Sequence, residues 1–164
     1  MEKFRMYGFV PFNISEIQKG IQFGHAVVEY GLTYGTTDEY KHWANHDKTF
    51  IILNGGTTRY VYFDMRAPGM QPGAMNQIVE TLTDMKIKFS TFHEPDLNYA
   101  LTAIVFLVPD KVFDKETYPD FDFGADFLDD EKAYEEGWHK KWLESIGGET
   151  NELLRKFLSK YRLA

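Results

Sequence analysis

Two short apolar runs constrain the fold more than any other feature of this chain. "KTFIILNGG", residues 48–56, ends in Asn-Gly-Gly and reads as a buried strand. "ALTAIVFLVP", residues 100–109, is strand-like and closed by proline. Residues 3–10, which mix aromatics and valine with polar residues before Pro11, suit a first strand. Between these runs lie segments of helical period. Asn13 or Ser15 can cap a helix that runs to about Tyr30, with Glu16 or Gln18 as the capping-box partner. "TTDEYKHWANH" fits a second, shorter helix, and Met75, Ile78, Val79 and Leu82 recur at helical spacing in a third. "TTRYVYFDMRAPGMQPG" reads as an inserted strand or hairpin arm followed by a loop, and "KIKFSTFHE" as a strand. The expected class is therefore α/β, a small mixed sheet of four to five strands flanked by helices in three layers, with a C-terminal helical extension. Two helices are expected after Asp126, broken at Gly147-Gly148, the last carrying Leu153, Leu154, Phe157, Leu158 and Tyr161.

A length of 164 residues is enough for one domain with its own core, hiding roughly two thirds of the unfolded surface. The expected division is an α/β domain over 1–113 and an appendage over 114–164. The absence of cysteine excludes disulfides, thiolate nucleophiles and cysteine-ligated zinc. No run of about 18 apolar residues occurs, and the basic start has no apolar stretch behind it, so the expectation is a soluble, cytoplasmic protein without a membrane role. The net charge of −7 is localised. Residues 114–136 hold ten acidic residues against Lys115 and Lys132, which leaves the remainder at +1 and compatible with RNA. Asp126 as N-cap with Asp129, Asp130 and Glu131 in the first turn suits a helix dipole, while "TYPDFDF" can lie over a basic groove or face a partner. "DFDFGAD" has its glycine one position early for a calcium loop, and neither metal nor cofactor is expected. Arg155, Lys156, Lys160 and Arg162 read as a solvated face, and the apolar side of that helix can dock on the domain or on a second copy.

The first helix carries the functional question. At about 100° per residue, Ile14, Ile17, Ile21, Gly24 and Val28 share one sector, and Phe23, Val27 and Tyr30 the opposite one. Gln18, Gln22, His25 and Glu29 form a polar stripe between them, which suits a helix buried on two sides and open along a groove. His25 is either a satisfied side chain bonded to Gln22 or Glu29, or part of a site.

Gln22, His25 and Ala26, as "Q-x-x-H-A" in a helix that follows a first strand, resemble the type II peptidyl-tRNA hydrolases. The later "KTFIIL" strand, the helix around Ile78–Leu82 and the "FHEPDLNYALTAIVFLVP" ending agree in order, so the resemblance spans residues 4–109. Gln18 stands where that family has a lysine, Glu94-Pro95-Asp96 where it has Asp-Ala-Gly, with Asn98 near its threonine, and the family's Ala-Pro-Gly stretch before the last strand is missing. The resemblance implies hydrolysis of the ester in peptidyl-tRNA or a related RNA-linked adduct, and tRNA or a nucleotide as partner. It implies a site at this helix and the loop before the last strand. There, His25 is the natural base, because an imidazole titrates near neutrality, and Glu94 or Asp96 can orient it. Gln22, Asn98 and the Asn54-Gly55-Gly56 turn can donate to developing negative charge, with Gln18 and Lys19 beside the family's lysine position. The alternative is a retained fold without catalysis, a binding module for a nucleotide, an RNA end or a protein.

Overall fold

The computed structural model of the chain describes residues 2–58, 73–121 and 132–164, the last stretch by backbone alone up to residue 136. It divides into two compact units, unit 1 over 1–108 and 161–164 and unit 2 over 109–160. The boundary falls five residues earlier than the sequence suggests, because the short helix that follows Val108 packs within unit 2. The expected hairpin arm of 57–73 and the Asp126 cap lie almost wholly or wholly outside the described residues.

Unit 1 is mixed α/β. Its described strands are β1 (Phe4–Val10), β2 (Phe50–Asn54), β3 (Phe89–Glu94) and β4 (Ala100–Pro109), in the order β2-β1-β4-β3. β1 and β2 are parallel, with Met6 opposite Phe50 and Val10 opposite Asn54. Parallel neighbours require a crossover, which helix α1 (Glu16–Tyr34), the short α2 (Asp38–His42) and a π-helical turn (Trp43–Asp47) supply. β3 and β4 pair antiparallel, joined by a 3₁₀ turn at Pro95–Leu97. α3 (Ala74–Asp84) precedes β3 and buries Met75, Ile78 and Leu82, the residues its spacing predicts.

Alternation along β1 and β4 sorts the core onto two faces. On one, Phe4, Met6 and Val10 pack with Ala103 and Val105 against Phe23, Ala26 and Tyr30 of α1 and Trp43 of the turn. On the other, Phe9 stacks on Phe106 at 6.0 Å and meets Tyr161 edge-on at 4.6 Å. Each such side chain contributes roughly 1.5–3 kcal/mol on full burial. Tyr161 is thus a half-buried residue packed on the core of unit 1 rather than part of the last helix, which ends at Leu158. The residues after it continue along the outer edge of β2: Asn54 N–H donates to the Arg162 carbonyl at 2.9 Å, and Ala164 N–H to that of Ile52 at 3.0 Å.

α1 begins with the expected capping box. The Ser15 hydroxyl accepts from the Gln18 N–H and the Gln18 side-chain carbonyl accepts from the Ser15 N–H, both at 3.3 Å. Ser15→Ala is expected to cost about 1 kcal/mol, read as a lowered urea midpoint. An unchanged midpoint would show that the box adds nothing here. The helix itself departs from expectation. Phe23, Ala26 and Tyr30 are buried, but Ile17, Ile21 and Val28 are exposed, so α1 packs along one side and not two.

Unit 2 comprises α4 (Asp110–Phe113), α5 (Lys132–Ser145) and α6 (Glu149–Leu158). α5 and α6 part at Gly147 and Gly148, both at positive φ, as the sequence predicts. Arg155 does not share the solvated face. Its Nε and Nη2 donate to the Lys111 carbonyl, Nη2 also to that of Tyr118 at 2.7 Å, and Nη1 to Asp120 Oδ1 at 2.9 Å. The opening of the acidic stretch is wrapped around this one guanidinium, and Lys115 holds the other Asp120 oxygen at 2.6 Å. Beside it, a cavity of about 220 Å³ is lined by Lys115, Phe121, Trp142, Glu152 and Lys156.

Candidate functional site

Gln22 is a buried amide on the inner flank of α1, and a buried amide must find partners. It finds two. Its Nε2 donates to Glu94 Oε2 at 2.5 Å, and its Oε1 accepts from the Thr102 hydroxyl at 2.6 Å. An ionised carboxylate only accepts, so Glu94 fixes the amide with nitrogen outward and oxygen toward Thr102. Thr102 reaches α1 through a β-bulge: Phe92 pairs with Ala103 but His93 with Leu101, which leaves Thr102 as the extra residue. The network ties α1, β3 and β4 together at one point.

His25 lies one turn further along the same stripe, exposed, with its ring stacked on Phe92 at 4.5 Å and 20° between planes. Gln22, Glu94 and His25 therefore border one seam between α1 and β3. Neither carboxylate expected to orient the imidazole does so. Glu94 is held by Gln22, and its second oxygen accepts from the Asp96 N–H at 3.4 Å, which caps the 3₁₀ turn. Asp96 is exposed on that turn, where the rigid Pro95 geometry directs its backbone, rather than its carboxylate, toward Glu94. Asn98 closes the turn in left-handed conformation at φ 51°, a geometry that asparagine tolerates better than most residues.

The remaining expected contacts are engaged elsewhere. The Gln18 side chain is spent on the helix cap, and Lys19, on the buried flank and 12 % exposed, pairs with Glu16 at 2.7 Å. Asn54 Oδ1 accepts from the Gly56 N–H at 2.9 Å, an Asx turn at the end of the β2 edge. Two strands separate β2 from β3, about 14 Å at the usual strand spacing, so Asn54 is not brought to the seam. Two members of the seam, Thr102 and Phe92, lie outside the sequence expectation. Thr102 carried a signal, as the only hydroxyl in an apolar strand. Phe92 carried none beyond alternation.

Among the described residues, no group of three His, Asp or Glu side chains is placed to hold a metal ion, and no helix is long and apolar enough to cross a membrane. Compared with protein-family models and with curated protein sequences, the chain matches none.

Proposed function

We propose that unit 1 hydrolyses the ester that links a peptide to the terminal ribose of tRNA, or a closely related RNA-linked ester. The observation that carries this reading is the Gln22–Glu94 hydrogen bond. It joins the two stretches on which the resemblance to type II peptidyl-tRNA hydrolases rests, with an accessible imidazole beside the junction. In this reading His25 takes a proton from water as the oxygen attacks the ester carbonyl carbon. The tetrahedral intermediate then expels the ribose oxygen, which recovers the proton from the imidazolium. The products are a peptide carboxylate and a tRNA hydroxyl. Phe92 holds the ring in plane, and Glu94 acts as a positioning residue through Gln22 rather than on His25. The second hydrogen of Gln22 Nε2 is left to donate toward the oxyanion.

The test is turnover of an N-blocked aminoacyl-tRNA. His25→Ala is expected to lower the rate by about 10²- to 10⁴-fold at unchanged melting temperature. Equal rates for the wild type and this variant would end the proposal.

A second reading is favoured by a specific observation. No carboxylate is bonded to His25 among the described residues, and the amine at the family's lysine position is absent. A binding module for a nucleotide or RNA end needs neither. Under this reading tRNA raises the melting temperature in proportion to ln(1 + [L]/Kd), while wild type and His25→Ala both lack turnover.

A further inference from the structure

The side of α1 that faces away from the sheet carries no charge. At 100° per residue, Ile17, Gly20, Ile21, Gly24, Val28 and Leu32 fall within one sector about 120° wide, opposite Phe23, Ala26 and Tyr30. Outward helix faces in α/β domains are ordinarily polar, yet Ile17 is 77 % exposed, Ile21 50 %, Val28 61 % and Leu32 77 %. A Cβ added at Gly20 or Gly24 would meet nothing within 4 Å, so the backbone lies bare between the branched side chains. An uncharged strip offers nothing to phosphate, which argues against nucleic acid as its occupant.

The spacing points to the occupant. Ile17, Ile21, Val28 and Leu32 are separated by four, seven and four positions, a pattern that reads the same in both directions. A two-fold contact between identical helices running antiparallel needs such a pattern, because each residue must meet the mirror position on the other copy. Ile17 then meets Leu32, Ile21 meets Val28, and the bare backbone at Gly24 sits near the axis, where helices approach most closely. We propose that this face of α1 is the interface of a homodimer formed by antiparallel pairing of α1 with α1 of a second copy.

The area sets its strength. The four side chains hold about 300 Å² of apolar surface per copy at the usual transfer coefficient. With the flanking helix surface, two copies bury on the order of 1,000 Å², the lower bound of a specific interface and the range of transient ones. A dimer at this lower bound is expected to be transient and concentration-dependent. This inference does not rest on the ester-hydrolysis reading, and its test has no activity readout.

Sedimentation of the full chain from micromolar to submillimolar concentration is expected to show its mass rising toward twofold. Ile17→Glu and Leu32→Lys, both at exposed positions, are each expected to raise the dissociation constant at least about tenfold with little change in melting temperature. An equimolar mixture of the two variants is expected to recover association, because the glutamate of one copy then faces the lysine of the other. A wild type that stays monomeric throughout overturns the proposal and leaves the strip to a different partner. Association unaffected by either variant overturns it by locating the contact elsewhere. Variants that dissociate but fail to recover on mixing overturn the antiparallel pairing.

Discussion

Gly8→Ala is expected to destabilise unit 1 by about 3 kcal/mol or more, a large fraction of the 5–15 kcal/mol that holds a domain folded. Gly8 lies in the middle of β1, opposite Ile52, where three elements converge. A Cβ there would run into the Ile104 carbonyl oxygen of β4, and would lie 2.6 Å from the Phe23 ring of α1 and 2.8 Å from Val105 Cγ1. A ring or methyl group can shift by a few tenths of an ångström, but a carbonyl locked in the central strand cannot. Alanine ordinarily stabilises relative to glycine by about 0.4–1 kcal/mol through the unfolded chain, so the steric term decides the sign. Hydrogen exchange of the Met6–Val10 amides reports on unit 1 alone and is the appropriate measurement, because two units need not unfold together. A change within about 0.5 kcal/mol would mean that α1 and β4 do not approach β1 as closely as described.

The second large effect is in unit 2. Arg155→Met keeps the volume and removes the guanidinium, whose side chain is only 3 % exposed. The Lys111 and Tyr118 carbonyls lose their donor, and Asp120 keeps Lys115 alone. The expected loss is about 1–3 kcal/mol, the usual result of leaving buried carbonyls without a donor, because Asp120 is 54 % exposed and its own charge stays solvated. Arg155→Lys recovers little, since an ammonium cannot reproduce the planar fork that spans two carbonyls and a carboxylate. Tryptophan fluorescence from Trp142, whose ring Arg155 approaches at 5.9 Å, follows the transition. If melting is unchanged, the wrap around Arg155 is not what orders 109–121.

The same network sets an acid limit. The Lys115 hydrogen bond, reinforced by Arg155, holds the Asp120 carboxyl below its ordinary value, and Lys156 does the same for Glu152. A carboxyl depressed on folding contributes stability that is fully present above the unfolded pKa, about 4, and lost as pH falls through the lower folded value. Unit 2 is accordingly expected to loosen below about pH 4, and Arg155→Met to move that limit upward.

The order of strands and helices was legible because period and punctuation are local properties. So was the polar stripe of α1, since Gln22 and His25 stand three residues apart on any helix. What escaped the sequence was set by partners distant in the chain. Hydropathy states what a side chain prefers, not whether anything arrives to cover it, so Ile17 and Ile21 read as buried when they are not. Arg155 looked like its neighbours Lys156 and Lys160 because nothing in α6 reveals the carbonyls of 111 and 118 that receive it. The partners of Glu94 and Asp96 are invisible in the sequence for a related reason. Every donor in the fold competes for a carboxylate, and Gln22 Nε2 reaches Glu94 where the imidazole of His25 does not.

Residues 161–164 lay their backbone along β2, yet they are synthesised only after all of unit 2. A growing chain on the ribosome therefore holds the sheet with one border open while those later helices are made. Bare strand borders recruit neighbouring chains. Slow translation through 109–160 thus prolongs the period of risk, and a nascent polypeptide halted before Tyr161 should be the species that chaperones retain.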